Sequence, residues 1–388
     1  MTQKKKKSIF TANAVRMIIF LCLCAASVLI CAHFLGFADA EHSDTIMKEF
    51  YQQDEDTVDV IYFGTSATQR AYVIPETFHD HGVAAYSMAC GTQPFVLTKY
   101  LMQEALKTQT PDLFIVELRG TCQTKDSIWD VAVRRMLDSM KMSSTKRDAI
   151  KAVIAYSEGG ENSIDTSGWS YYFPFLKFHG RWNPSKQPKY FDNIDYYKGY
   201  TLDHGVCFKV RPIDSIPATD IESKIAPETE DVLTDLLDYC DTIDTKVLFV
   251  ISPYECTKYG MERLNYSQAI VEERGYECLN FLSPEKKEML GLHDESCYYN
   301  REHLNVYGSR MYTEYLTNYI QSNYGVPDRR GDSKYDSWEH EYERLMKNYD
   351  TVYAEKYAKM MKKVRKNEAK AKAKAKAEET EKAEAKED

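Results

Sequence analysis

An uninterrupted apolar segment near the N-terminus constrains this chain more than any other feature of its sequence. Met17 to Phe37 form a run of 21 residues without Asp, Glu, Lys or Arg. As a helix, this run would be about 31 Å long, enough to cross the hydrocarbon core of a bilayer. Residues 1–16 carry five basic side chains and no acid. Since basic flanks stay cytoplasmic, we expect a single-pass cell-membrane anchor at 17–37, a cytoplasmic basic segment at 1–16 and an extracytoplasmic remainder.

A cleaved signal peptide is the alternative interpretation of the same segment. Ala38-Asp39-Ala40 resembles the small-residue site at which signal peptides are cut. The apolar run is longer than the 7–15 residues typical of a signal peptide, which favours a retained anchor.

The composition is that of a folded protein and excludes several classes of function. Hydrophobic residues make up 43% and charged residues 28% of the 388 residues, and the net charge is −9. Such a chain can bury a core, but it lacks the basic face of a nucleic-acid-binding protein. Nucleotide-binding glycine motifs and HExxH are absent, and His79 and His81 are more typical of a solvent-exposed loop than of a metal site. We therefore predict no cofactor, no metal and no nucleic-acid partner.

Short apolar strands alternate with amphipathic segments after a polar stalk at 38–57. This pattern predicts an α/β domain at 58–325 with a parallel sheet between helical layers. The expected strands are 58–63, 83–88, 113–118, 247–251 and 277–282, and the expected helices are 92–107, 227–242, 258–274 and 305–322.

Two segments do not follow this alternation. Residues 121–226 hold three of the four Trp residues and are interpreted as an insertion or cap beside the sheet. Residues 335–388 predict a helix followed by a low-complexity charged tail. A solvated helix is the simpler interpretation of this tail, and a basic segment that binds an anionic envelope polymer or lipid is the alternative.

Candidate catalytic residues follow the first strand and precede the last helix. Ser66 comes directly after Phe63-Gly64-Thr65, where a hydroxyl would project from the carboxyl edge of the sheet, although a serine there is more often a helix cap. His303 lies just before the final helix, three residues after Asn300. This order would allow a serine nucleophile to meet a histidine base.

These residues and the phrases around them resemble the SGNH/GDSL hydrolase superfamily, and in particular its membrane-anchored, DltD-like branch of teichoic-acid D-alanylation and alginate-acetylation proteins. The resemblance spans about Val58 to Ile320. It is carried in chain order by VDVIYFGTSATQR, AYSMACGTQP, PDLFIVELRG, FPFLKFHGRW, LFVISPYE and EHLNVYG.

The resemblance implies a three-layer α/β/α flavodoxin-like SGNH fold and a role for each matching residue. Ser66 would be the nucleophile, His303 the base, and Gly91 a donor to the oxyanion. The chain departs from the family at Asn300, where an Asp is usual, and at Glu117–Gly120, where the usual Asn is missing. Asn300 would be the third catalytic residue, since an Asn can orient the imidazole although it does not stabilise the imidazolium. Gln93 or Arg119 could supply the third oxyanion donor, and Arg119 could also bind substrate.

Arg181 and Trp182 are the candidate substrate-binding residues of the insertion. Arg suits anionic groups and Trp suits sugar faces, so this pair could line a cap over the site. A buried cluster that anchors the insertion is the equally weighted alternative.

Two functions therefore remain open. The first is an extracytoplasmic esterase or O-acyltransferase that acts on an acylated cell-envelope glycopolymer such as a teichoic-acid-like polymer. The second is a catalytically weak or inactive SGNH-like partner that binds the polymer or a multi-span membrane O-acyltransferase. Asn300 favours the second function, and the set of Ser66, Gly91 and His303 favours the first.

Overall fold

The computed structural model describes residues 3–36, 41–183, 185, 194–202, 219–292, 295–349 and scattered positions between 355 and 376. The cleavage-like tripeptide Ala38-Asp39-Ala40, the last residue of the predicted anchor and most of the predicted charged tail lie outside the described residues. Parts of the predicted insertion, at 184, 186–193 and 203–218, also lie outside them.

The N-terminal helix α1 extends over Gln3–Phe34 and includes both the basic segment and most of the apolar run. Its window Ala12–Cys31 has a mean hydropathy of 2.5 and is not buried against the rest of the protein. Among the described residues it is the one helix long and apolar enough to span a membrane.

The central sheet contains five parallel strands in the order β2-β1-β3-β6-β7. If the five strands of this sheet are numbered 1 to 5 along the chain, their order across the sheet is 2-1-3-4-5. The direction in which successive strands are added therefore reverses at the boundary between β1 and β3. Two short antiparallel hairpins, β4–β5 and β8–β9, lie outside it. The strands are β1 Val60–Phe63, β2 Ala85–Ser87, β3 Leu113–Glu117, β4 Tyr196–Tyr197, β5 Tyr200–Thr201, β6 Lys246–Ile251, β7 Cys278–Asn280, β8 Tyr298–Asn300 and β9 His303–Leu304.

Helices cover both faces of the sheet because its buried strands carry apolar side chains on both sides. Ile61 and Phe63 belong to one hydrophobic core, and Val60 and Tyr62 belong to the other. The remaining helices are α2 Asp44–Phe50, α3 Ser66–Ala71, α4 Ile74–His81, α5 Thr98–Ala105, α6 Asp130–Leu137, α7 Ser144–Ser157, α8 Trp169–Tyr172, α9 Phe175–Phe178, α10 Pro227–Cys240, α11 Lys258–Glu273, α12 Pro284–Met289, α13 Val306–Tyr324 and α14 Asp336–Asn348. The predicted α/β class with a parallel sheet is confirmed.

The segment expected to be a polar stalk contains the packed helix α2. Ile46, Met47 and Phe50 are fully buried, and the Tyr86 hydroxyl donates to the carbonyl oxygen of Ile46 at 2.7 Å. These apolar side chains share one face of a two-turn helix, which is too short for its periodicity to stand out in the sequence.

Helix α14 also packs on the domain instead of standing in solvent. Trp338 is 1% exposed, and its indole Nε1 donates to the carbonyl oxygen of Ala85 at 2.8 Å. Leu345, about two turns further along the same face of the helix, is also buried. Residues 335–348 are therefore part of the folded domain.

Candidate active site

Ser66 lies where the chain leaves β1 at the carboxyl edge of the sheet and enters α3. Thr65 caps this helix, since its side-chain oxygen accepts from the Ala67 amide at 3.3 Å. A Cβ atom at Gly64 would overlap the Thr68 hydroxyl and lie 2.9 Å from the Cβ of Glu117. The turn that presents Ser66 therefore requires glycine at position 64.

His303 reaches Ser66 from the opposite end of the sequence. It begins β9, pairs with Asn300 across the β8–β9 hairpin, and comes just before α13. Asn305 fixes this junction by capping α13 through the amides of Tyr307 and Gly308 at 3.0 and 3.2 Å. The Ser66 Oγ and His303 Nε2 atoms are 2.7 Å apart, so the two residues expected to form a dyad are within hydrogen-bonding distance.

The hydrogen bonds around Asn300 determine which nitrogen of His303 carries the proton. The Glu302 amide can only donate, and it donates to Asn300 Oδ1 at 2.8 Å, which fixes the orientation of the Asn300 amide. The same oxygen is 2.9 Å from His303 Nδ1, so Nδ1–H must be the donor. Neutral His303 then presents an unprotonated Nε2 to the Ser66 hydroxyl, as a general base requires.

The environment of His303 keeps the imidazole neutral. Burial lowers its pKa to about 3, with further lowering by the positive charges of Arg70 and Arg119. No carboxylate contributes to this shift, because Asn300 stands where an acid would stabilise the imidazolium. At neutral pH the dyad therefore holds an imidazole that is unprotonated at Nε2 but weakly basic.

Arg119 joins the end of β3 to the loop that carries His303. Its Nη1 donates to the Glu302 carbonyl oxygen at 2.8 Å, and its Nη2 is 2.9 Å from the Glu302 carboxylate. The guanidinium also lies over the Tyr254 ring, 4.2 Å from its centroid. Arg119 lines the same cavity as Ser66, and its oxyanion-donor or substrate-binding role stays a prediction.

The loop after β2 brings Gly91 and Gln93 to the same edge of the sheet. The Gly91 carbonyl oxygen accepts from Arg135 Nη1 at 2.7 Å, and Thr92 has a left-handed backbone with φ of 53°. Thr92 lines the cavity, whereas Gln93 is 2% exposed and is not among the lining residues. The oxyanion roles of Gly91 and Gln93 stay predictions.

The cavity in front of Ser66 has a volume of about 690 Å³ and is lined by charged and aromatic side chains. Sequence analysis missed several of them because they come from separate segments and share no motif. Tyr259 and Trp129 are 62% and 60% exposed at this cavity. The other lining residues that the sequence did not single out include Arg263, Arg301, Glu255 and Cys256.

A buried carboxyl lies beneath the turn that carries Ser66. Glu117 is 1% exposed, and burial raises its pKa to about 7 against the lowering effect of Arg119. Its Oε1 accepts weakly from the Ser252 amide at 3.4 Å. At Glu117 the structure thus places an ionisable group under the site, not an amide that faces it.

Arg181 and Trp182 are not among the residues that line this cavity. Arg181 Nη1 donates to the Gly36 carbonyl oxygen at 2.8 Å, just beyond α1, and Trp182 is 78% exposed. Their substrate-binding role stays a prediction.

His79 and His81 pair with Glu339 and Glu314 at 2.7 and 2.8 Å. No group of three or more His, Cys, Asp or Glu suited to a metal occurs within the described part of the chain.

No protein-family model matches the chain, and no curated protein is significantly similar to it.

Proposed function

We propose that this protein is a membrane-anchored serine esterase or O-acyltransferase of the SGNH type that acts on an acylated cell-envelope glycopolymer outside the cytoplasm. The observation that carries this proposal is the 2.7 Å contact between Ser66 Oγ and His303 Nε2 at the carboxyl edge of a parallel sheet. Two residues separated by 237 positions meet there, in the tautomeric arrangement that proton transfer needs.

The chemistry begins when Ser66 Oγ attacks the carbonyl carbon of an ester. His303 Nε2 takes the hydroxyl proton as the Oγ–C bond forms, and the carbonyl oxygen becomes an oxyanion. Backbone amides at Ser66 and Gly91 are the proposed donors to this oxyanion, and loss of one such donor typically costs about 3 kcal/mol of transition-state stabilisation. His303 then gives its proton to the departing alcohol, which leaves the acyl group on Ser66.

The second half of the reaction separates hydrolysis from transfer. Water that loses its proton to His303 would release a free acid, and a sugar hydroxyl in the same position would take the acyl group. The cavity is large enough for a sugar acceptor, and its exposed Trp129 and Tyr259 offer flat faces for sugar rings. Arg263 offers positive charge to an anionic polymer, whereas Arg301 is paired with the Glu255 carboxylate at 3.4 Å.

The second candidate is a catalytically weak or inactive SGNH-like protein that binds the polymer or a membrane O-acyltransferase. The observation that favours it is Asn300, which holds His303 in place without stabilising an imidazolium. Turnover measurements separate the two candidates.

The test is covalent labelling and turnover in the full chain, with a serine control from the same cavity. We expect a fluorophosphonate probe to label Ser66 and a small acetyl ester to be hydrolysed, and Ser66→Ala and His303→Ala each to abolish both signals. Ser127 also lines the cavity, but its hydroxyl is bonded to the Thr124 backbone at 2.8 Å. Ser127→Ala should therefore keep both signals.

Transfer is measured by incubating the acylated enzyme with deacylated envelope polymer and following the acyl group by mass. If Ser66→Ala and wild type are equally inert towards the probe, towards esters and in transfer, the non-catalytic candidate stands.

A further inference from the structure

A cluster of exposed apolar side chains lies in the segment 169–182. Trp169, Phe173, Leu176 and Trp182 are 63%, 37%, 48% and 78% exposed, and we name these four residues the apolar patch. The rings of Trp169 and Phe173 are stacked, with centroids 6.4 Å apart. Exposed apolar side chains this large and this close in sequence usually mark a surface that something covers.

The apolar patch is held against the chain that leaves the membrane helix. Arg181 Nη1 donates to the Gly36 carbonyl oxygen at 2.8 Å, two residues after the end of α1. The same guanidinium lies 4.1 Å from the centroid of the Phe178 ring, which belongs to α9 within the segment. The patch and the exit of α1 are therefore neighbours in the fold.

The length of α1 places this contact at a definite depth. The apolar window Ala12–Cys31 has 20 residues. At 1.5 Å per residue, that window matches the roughly 30 Å of the hydrocarbon core. Gly36 is five residues further on, or about 7.5 Å, within a headgroup layer that is about 5–8 Å thick on each side. Counted on the uncharged run 17–37, Gly36 lies at the outer end of the hydrocarbon core. On either count, the contact of Arg181 with Gly36 lies in the interfacial region when α1 spans a bilayer.

The chemistry of the segment suits that depth. Tryptophan is enriched at membrane–water interfaces because its ring is apolar and its N–H is polar. A guanidinium at the same level can bond lipid phosphate oxygens. We propose that the apolar patch inserts into the headgroup region of the membrane that α1 spans, with Trp169 and Trp182 at the interface.

A lipid surface is the occupant that this geometry favours. The bilayer must be present at the depth of Gly36 wherever α1 crosses it, whereas nothing in the described chain requires a protein there. The proposal rests on the membrane anchor of the proposed function and does not depend on the chemistry of Ser66.

Docking of the patch would hold the catalytic cavity at the membrane surface. Lys177 Nζ is 2.5 Å from the Asp130 carboxylate, and the preceding residue, Trp129, lines the cavity. On the other side, Arg135 contacts both the Gly91 carbonyl oxygen at 2.7 Å and the Glu41 carboxylate at 3.6 Å.

Depth-dependent fluorescence quenching in vesicles tests the inference. The full chain is reconstituted into phosphatidylcholine vesicles whose lipids carry bromine either near the headgroup or near the bilayer centre. All measurements use a Trp129→Phe parent, because Trp129 is also exposed, at the cavity. In this parent we expect headgroup-proximal bromine to quench part of the tryptophan emission, and Trp169→Phe with Trp182→Phe to remove that quenched part. Trp338 is buried and provides an internal reference.

A relocated tryptophan serves as the matched control. Met289 is 49% exposed at the end of α12, which follows β7, the edge strand opposite β2. Met289→Trp, added to the double variant, should restore emission without restoring quenching by bromine.

Three outcomes would overturn the inference. The first is equal quenching of the Trp129→Phe parent and the double variant, and the second is quenching of the relocated tryptophan at position 289 as strong as that of the parent. The third is a chain that does not float with the vesicles. Probe labelling of Ser66 in the same vesicles is an independent readout. Loss of labelling with intact quenching would reject the proposed chemistry of Ser66 but would still support the proposal that the apolar patch contacts the membrane.

Discussion

Replacing Asn300 by Asp is the perturbation that most directly tests how His303 works. An Asp carboxylate can accept from both the Glu302 amide and His303 Nδ1–H, which lie 2.8 and 2.9 Å from Asn300 Oδ1. The geometry of the dyad is therefore kept while a negative charge is added next to the imidazole. Nothing else in the contacts of Asn300 needs to change.

The size of the effect follows from the change in pKa. An opposite charge at this distance raises a histidine pKa by about 1–3 units, which corresponds to about 1.4–4 kcal/mol of imidazolium stabilisation. The pKa of His303 would then rise from about 3 to roughly 4–6. Because the imidazolium forms in the transition state, kcat/KM at neutral pH should rise by about 10- to 1,000-fold.

The assay is the pH dependence of kcat/KM for a small acetyl ester, which reports the pKa of the base in the free enzyme. A base is active only when unprotonated, so activity falls as pH drops through its pKa. Wild type should keep its activity down to about pH 4, and the acid limb of Asn300→Asp should appear at roughly pH 4–6. Asn323→Asp, on an exposed face near the end of α13, adds the same charge away from the site and should change neither quantity.

An acid limb that stays in place together with an unchanged or lower kcat/KM would refute this reasoning. Such a result would mean that Nδ1 does not donate to position 300, or that proton transfer to His303 does not limit the reaction.

Three further predictions concern the support of the site. Arg119→Met should raise the pKa of His303 because it removes a nearby positive charge, so the acid limb of kcat/KM should move to higher pH. A shift of the acid limb to lower pH would contradict the assigned electrostatics. Gly64→Ala should lower the free energy of unfolding in denaturant by about 1–3 kcal/mol, because the new Cβ overlaps its neighbours, and should abolish probe labelling of Ser66. The control Gly275→Ala meets no neighbour, so it should cost only about 1 kcal/mol for its left-handed backbone and keep the labelling. Equal behaviour of the two variants would argue against a close approach at Gly64. Trp338→Ala should cost about 3–5 kcal/mol in the same denaturant titration because its indole is buried and bonded, and a cost below about 1 kcal/mol would show that α14 is not part of the cooperative fold.

Much of the sheet could be predicted from the sequence because its signals are local. All five strands were expected within a few residues of their observed bounds, since short apolar runs flanked by turn residues leave few alternatives. The helix expected at 92–107 is shorter, with a 3-10 turn at Phe95–Leu97 before α5. Pro94 disfavours helical backbone at Gln93 and is itself extended, with ψ of 129°, so no helix begins before it. Helices α2 and α14 were missed as packed elements because only two or three side chains on each are buried.

The sequence alone therefore determined the membrane-length helix, the α/β alternation, and the placing of a serine after the first strand and a histidine before the last long helix, since each depends on residues that are neighbours in the chain. Only the tertiary structure decided the rest of the site. The 2.7 Å contact of Ser66 with His303 joins positions 237 residues apart, and the tautomer of His303 depends on one backbone amide at Glu302. The link from Arg119 to Glu302 likewise crosses 183 residues. Such contacts leave no periodic or compositional trace, because they arise where parallel strands bring their carboxyl ends to one edge of a sheet.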